Sequence, residues 1–184
     1  GSRLVPFIMR IDLSESPLDA SPNRKLYEFL CFAILLNSSF VLESMGHIAF
    51  ANLGRALVLG VYFYRHFHMV KVGAKYSDVG VALRVSLFLT LLGYTVAGFF
   101  PQIRLASQHI VFIGGFSLVT LMVATRVTLA HGGASLDLEL RNPAIRWVLA
   151  SFSASVILRT LAFSSLPAGL IYSAAAMFLV ALAI

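Results

Sequence analysis

The sequence predicts an all-α protein, a polytopic membrane bundle of about six transmembrane helices. Of its 184 residues, 59% are hydrophobic and only 12% are charged, and the mean hydropathy is +0.87. A soluble domain carries about 25% charged residues, so a soluble fold would have too little polar surface to cover this much apolar side chain. The apolar residues also form runs of about 20, enough for a helix rising ~1.5 Å per residue to cross a ~30 Å hydrocarbon core.

The predicted elements follow from where these runs are interrupted. Residues 1–25 contain three prolines and a polar segment, which indicates the tail of a span followed by a cytoplasmic loop, and residues 26–184 form the six-helix transmembrane bundle. Gly46 is the obvious break between the first two spans, so we expect a tight antiparallel hairpin there. The predicted spans are Leu26–Met45, His47–Phe67, Val79–Phe100, Ser107–Ala130, Pro143–Phe163 and Leu166–Ile184.

Basic residues lie mainly on one side of the predicted membrane. Arg104 is the basic residue outside the spans on the other side, and by the positive-inside rule the crowded side is cytoplasmic, which places both termini there. The formal charge of +6 fits an anionic lipid surface; with no continuous basic face, nucleic acid is not expected as a partner. The crowded side carries Arg10, Arg24, Lys25, Arg65, Lys71, Lys75, Arg141 and Arg146.

The fourth span has its ionisable groups at its two ends. Residues 110–125 contain none, and Gly114 and Gly115 predict close approach of a neighbouring helix, as is common in membrane helix packing. Arg126 lies just inside the far end, where an arginine normally faces protein, water or a charged ligand. The alternative is that Arg126 extends to the lipid headgroups.

The predicted topology sorts the intramembrane polar residues into two layers. Ionisable groups at membrane depth are candidates for function, although His47 and His109 could instead bind headgroups as interfacial histidines. Glu43 lies four residues before His47, and an acid–histidine pair there is a further candidate. The outer layer holds His47, Arg55, His109 and Arg159, and the inner layer holds Arg3, Arg84, Arg126 and His131.

Motifs for nucleotide hydrolysis, serine hydrolysis and zincin proteolysis are absent from the sequence, as are paired carboxylates within an apolar stretch. The single Cys31 excludes an internal disulfide and a cysteine-based metal cluster. The residues that remain as candidates for function are the histidines and arginines of the membrane spans. Neutral imidazole is the usual side-chain ligand for haem iron and for copper, and arginine can neutralise haem propionates or another anion.

Several segments, in the same order, resemble the NnrS family. Residues 109–114, HIVFIG, and 126–132, RVTLAHG, are similar to a family span that runs from histidine to glycine and ends in arginine, leucine, glycine and histidine. Residues 1–7, GSRLVPF, resemble the family segment GGR-V-I-P-x-F, and residues 149–162, with Arg159, resemble a later span carrying one arginine. The chain departs from the pattern at Ala130, where glycine is usual, and at Ala134, where arginine is expected.

The resemblance implies a multi-pass protein of the bacterial inner membrane, with haem and copper as cofactors and a role in resistance to nitric oxide under nitrosative stress. By position in the matching motif, it implies functional roles for His109, Arg126 and His131. In that family these segments form the C-terminal half of a longer protein, so the expected partners are the lipid bilayer and the N-terminal half or a partner membrane subunit. The candidate metal ligands are His109, His131 and His47, and the candidate cofactor-binding residues are Arg3, Arg84, Arg126 and Arg159.

The same residues are compatible with two other classes of function. The chain could be half of a transporter for an anionic substrate, with arginines lining the path, or a purely structural subunit. We also expect that His109 and His131 do not share one metal ion. They are 22 residues apart, which along a continuous helix is about 33 Å, whereas histidine nitrogens bind metals at ~2.0–2.1 Å.

Overall fold

Every element in the described part of the chain is a helix. A computed structural model describes residues 22–67, 77–131, 143–162, 175–177 and 179. The long apolar runs form helices because, within lipid, only a helix or a closed barrel satisfies every backbone N–H and C=O group. The elements are α1 (Pro22–Ser44), α2 (Ile48–Phe67), α3 (Asp78–Phe99), a 3₁₀ turn (Pro101–Ile103), α4 (Arg104–His109), a π-helix (Ile110–Ser117), α5 (Leu118–His131) and α6 (Pro143–Ala162).

The structure confirms an all-α membrane bundle, and helices form at the first five predicted spans. Four helical segments within the described residues are long and apolar enough to cross a membrane: Leu26–Ser44, Asp78–Phe99, Pro101–Leu129 and Pro143–Leu161. Helix α2 has 20 residues but is not among these four, because Asn52, Arg55 and Arg65 lower its hydropathy. The sixth predicted span, 166–184, lies almost entirely outside the described residues.

The predicted hairpin between α1 and α2 is confirmed, and its turn depends on Gly46. This glycine has φ of +90°, a conformation that costs energy for any residue with a Cβ. The N–H of Gly46 donates to the carbonyl of Glu43 at 3.0 Å, and the N–H of His47 donates to the carbonyl of Leu42 at 3.0 Å. These are the two bonds of a Schellman cap, and they satisfy carbonyls that the end of α1 would otherwise leave without donors.

The fourth span is one continuous helical path from Pro101 to His131, with a π-helical segment in its middle. The predicted close approach at Gly114 and Gly115 is confirmed. A Cβ added at Gly114 would lie 2.7 Å from Leu89, and one added at Gly115 would collide with the side chain of Thr90. Helix α3 contributes its own glycine, Gly93, to this interface with the fourth span.

The apolar core joins α2, α3, α5 and α6. Helix α1 is peripheral, because it packs chiefly against α2. Since α3 contacts α2, the fourth span and α6, it is the central helix of the described bundle. The buried core consists of Phe63, Val79, Ala82, Leu83, Leu87, Leu118, Met122, Ile145, Val148 and Phe152.

The tight contact of α3 with the fourth span predicts that Gly93→Ala destabilises the protein. A methyl group at Gly93 would lie 2.9 Å from the backbone oxygen of Ser107, which cannot move without shifting α4. We expect a loss of about 1–3 kcal/mol, seen as a lower midpoint of thermal unfolding in detergent micelles.

Gly54→Ala is the matched control, because no atom lies within 4 Å of a Cβ added at that helical glycine. It should be neutral or stabilise by up to about 1 kcal/mol. Equal midpoints for the two variants would contradict the close packing of α3 on the fourth span.

Candidate functional site

Ion pairs between helices show which helix ends lie together. Arg104 Nη1 lies 3.3 Å from Glu43 Oε1, so the fourth span begins beside the end of α1. We call this the hairpin end of the bundle, because it also contains the Gly46 turn. At the opposite end, which we call the core end, Arg65 Nη1 lies 2.8 Å from Oε1 of Glu28 in α1. At the same end, Nε of Arg146, at the start of α6, lies 3.0 Å from Oδ2 of Asp78, at the start of α3.

The predicted site residues are divided between these two ends. His47 lies in the exposed hairpin turn, and His109 is the last residue of α4, so both belong to the hairpin end. His131 is the last residue of α5, at the other end of the fourth span. Arg3 lies outside the described residues.

The rings of His109 and His131 are oriented in the same way. Nδ1 of His109 is 2.6 Å from the carbonyl oxygen of Leu105, and Nδ1 of His131 is 2.8 Å from that of Val127. A carbonyl can only accept, so in each neutral ring Nδ1 carries the proton and the lone pair is on Nε2. Histidines that bind metals usually donate their other ring N–H to such an oxygen. Both rings therefore have the orientation that a metal-binding histidine adopts when it binds through Nε2.

The two histidines do not form one site. The π-helix and most of α5 lie between them, and along this continuous path 22 residues span about 33 Å or slightly less. Among the described residues, no three His, Cys, Asp or Glu side chains are grouped so that they could hold a metal ion. Within the part of the chain that the structure describes, neither histidine therefore belongs to a group of three candidate metal ligands.

Arg126 is buried in protein, with 8% of its surface exposed. It follows Leu118 and Met122 at intervals of four residues on α5, and both of these pack in the core. Burial on this face agrees with the expectation that Arg126 faces the protein interior, and it argues against extension to the headgroups. The group that Arg126 binds stays a prediction.

The other two candidate arginines within the described residues are partly buried. Arg84 lies six residues after Asp78 on α3, towards the core end, and its Nε atom is buried. Arg159 lies near the end of α6, towards the hairpin end. His109 therefore shares its end of the bundle with Arg159, and His131 shares the other end with Arg84 and Arg126.

Polar side chains from α1 and α2 surround Arg55, whose pairing sequence reasoning missed. Arg55 is 2% exposed, and its guanidinium forms an ion pair with the carboxylate of Glu43. Its Nε donates to Ser39 Oγ at 3.0 Å, and its Nη1 donates to Asn52 Oδ1 at 3.4 Å. The ring of Phe40 lies 3.8 Å from the guanidinium carbon. We call these residues, with Arg104 on the second oxygen of Glu43, the Arg55 cluster.

The cluster replaces the acid–histidine pair considered for Glu43 and His47. The Gly46 turn ends α1 before His47, and both oxygens of the Glu43 carboxylate are bound by arginines. A signal was present in the sequence: Ser39 and Glu43 are four apart, Asn52 and Arg55 are three apart, and a tight turn lies between the pairs. Such spacings place each pair on one helix face, and an antiparallel hairpin can bring the faces together.

The burial of Arg55 predicts that Glu43→Gln strongly destabilises the hairpin. The variant leaves a buried guanidinium without its counter-charge, and removing one partner of a buried ion pair costs about 3–5 kcal/mol. The loss of stability would be measured by heating the protein in detergent and recording how much of it stays monodisperse.

The control is Glu28→Gln, which breaks the ion pair of Arg65 with Glu28 at the other end of α1 and α2. Its partner Arg65 is 53% exposed, so the expected cost is only about 0–1 kcal/mol. If both variants lost stability equally, burial of Arg55 would not be what makes the Glu43 pair important.

Comparison with known proteins agrees with the resemblance carried by the motifs. The family model described as NnrS protein matches residues 1–184, the full length of this chain. No curated protein and no solved structure matches it. With a bundle of long apolar helices and a family match over its whole length, this chain belongs to the NnrS family.

Proposed function

We propose that this protein is a haem-binding integral protein of the bacterial inner membrane, with copper as a further metal, that acts in the response to nitric oxide and nitrosative stress. Membership of the NnrS family over residues 1–184 supports this proposal. The observation that carries it is the ring of His109, which is partly buried and has Nδ1 held by a backbone carbonyl. Nε2 is then the atom that would bind iron.

The donor set at the hairpin end fits haem. Haem iron needs only one or two axial ligands from the protein, and one histidine is enough for the proximal position. His109 also directly precedes the π-helix, a feature that is common at functional sites. Arg159 lies towards the same end and would neutralise a propionate. Bound haem would supply an iron centre that can bind nitric oxide.

Copper requires more ligands than any one group of described residues provides. Sites for copper usually combine several nitrogen or sulfur donors, and no group of three candidate ligands occurs among the described residues. His47 and His131 are each candidates for one ligand. A copper site here would add donors from outside the described residues, from another subunit or from the other half of a longer protein.

A transporter for an anionic substrate is the second candidate, and the burial of Arg126 is the observation that favours it. A buried arginine in an apolar span can attract an anion towards the membrane interior. Arg55 does not belong to such a path, because Glu43 already neutralises its charge. Haem content distinguishes the two candidates directly.

The first prediction from this proposal is that purified protein shows a Soret band that shifts when nitric oxide is added. His109→Ala should remove most of the haem bound at the hairpin end. His131→Ala should leave that haem in place, because the two rings lie at opposite ends of the span. Haem and metal analysis of both variants, beside the optical spectrum, tests this. A colourless, metal-free preparation would contradict the proposal and favour the transporter.

The second prediction concerns Arg126. If it neutralises a cofactor carboxylate within the bundle, Arg126→Leu should lower cofactor retention, and Arg126→Lys should restore it only in part, because lysine lacks the planar pair of donors. The readout is cofactor bound per protein after purification. Unchanged retention in Arg126→Leu, together with reduced anion uptake into vesicles, would assign Arg126 to a transport path.

A further inference from the structure

The ion pairs at the two ends of the bundle differ in their balance of charge. At the core end, the pairs of Arg65 and Arg146 each join one guanidinium to one carboxylate, so each pair is neutral. In the Arg55 cluster, Arg55 and Arg104 share the single carboxylate of Glu43. Two positive charges and one negative charge leave the cluster with a net charge of +1. A surplus charge beside a membrane interior is costly unless an anion lies next to it.

The sequence supplies no second carboxylate at the hairpin end. Among the described helices, Glu43 is the acidic residue at that end, and residues 163–184, which follow α6 there, contain none. The other acidic residues lie at the core end or in segments of the chain that join helix ends there. They are Asp12, Glu15, Asp19, Glu28, Asp78, Asp137 and Glu139. The anion that balances the Arg55 cluster therefore comes from outside this chain.

Arg104 is the member of the cluster that a further anion can reach. Arg55 is 2% exposed, whereas 36% of the Arg104 side chain is exposed. Nη1 of Arg104 donates to Glu43 Oε1 at 3.3 Å. A guanidinium has several N–H groups in a planar fork, so this bond leaves donors that fit the oxygens of a phosphate or a carboxylate.

The surroundings of Arg104 match a phospholipid. Arg104 lies where the chain enters the fourth span, beside the Gly46 turn, and the ends of membrane helices are where a protein meets lipid headgroups. A soluble anion would use the guanidinium but would leave the apolar side chains near it in the chain without contact. An amphiphile with a phosphate at headgroup depth uses both. These exposed apolar residues are Phe99, Phe100, Ile103 and Leu105.

We propose that Arg104 binds the phosphate of an anionic phospholipid, whose acyl chains lie against Phe100 and Leu105. Glu43 holds the guanidinium at the start of the fourth span, and the planar fork binds two phosphate oxygens. The negative headgroup then balances the charge of the Arg55 cluster. The site contains no histidine and no metal ligand, so it does not depend on the proposed haem.

Quenching of tryptophan fluorescence by brominated lipids tests the proposal at the site itself. Trp147→Phe removes the single tryptophan, and Phe100→Trp places one close to Arg104 in the chain. In phosphatidylcholine vesicles, quenching should show that brominated phosphatidylglycerol binds beside this tryptophan about five-fold more tightly than brominated phosphatidylcholine, because a basic residue attracts an anionic headgroup. Inorganic phosphate should leave this preference unchanged.

Three outcomes of the quenching experiment would overturn the proposal. Equal quenching by the two lipids would mean that the site does not select an anionic headgroup. Quenching by neither lipid would mean that protein covers this face. Loss of the preference on adding inorganic phosphate would mean that the site binds a free anion.

Substitutions in the same tryptophan background identify the group that binds. Arg104→Gln should abolish the preference for phosphatidylglycerol, and we expect it to fold because the remaining ion pair of Glu43 is balanced. Gln108→Glu, four residues later on the same helix face, supplies a carboxylate from the chain and should also abolish the preference while Arg104 stays in place. Arg146→Gln is the control, because it removes an exposed arginine from a balanced pair at the core end. A preference that survives in Arg104→Gln or Gln108→Glu, or an equal loss in Arg146→Gln, would contradict the assignment to Arg104.

Discussion

The buried charge of Arg55 is the constraint on which the hairpin end depends. A guanidinium inside a membrane bundle is costly unless a counter-charge lies beside it, and Glu43 provides that charge from α1. Because Glu43 also binds Arg104, one carboxylate joins α1, α2 and the start of the fourth span. His109 comes five residues after Arg104, so the same pairing fixes where the candidate haem ligand lies relative to the hairpin.

Close contact at glycine residues fixes how α3 and the fourth span pack together. Gly93, Gly114 and Gly115 allow α3 and the fourth span to approach to distances that a Cβ would prevent. In a membrane, where water does not drive helices together, such contact is a main source of association. With α3 held this closely along the fourth span, the α5 face that begins with Leu118 turns into the core, and Arg126 is buried with it.

Local features of the fold could be predicted from the sequence, whereas the choice of partners across helices could not. The length of the apolar runs predicts helices at the first five spans, and Gly46 predicts the hairpin turn. Both features depend on residues that are near each other in the chain. The pairing of Arg55 with Glu43 depends on how each helix is rotated about its axis. The polar spacings mark one face of α1 and one face of α2, but neither helix has a hydrophobic stripe that shows whether the two marked faces meet. The π-helix has no comparable signal in the sequence.

The fourth span links the two ends of the bundle without merging them into one site. It carries His109 at one end and Arg126 with His131 at the other, and the path between them is helical throughout. Since α3 packs against the π-helix through the glycine contacts, sliding the span along its axis would force side chains into backbone. A ligand at one end therefore meets residues whose positions the packing has already fixed. The chemistry of each end is then decided by its own residues, and by whichever helices complete it.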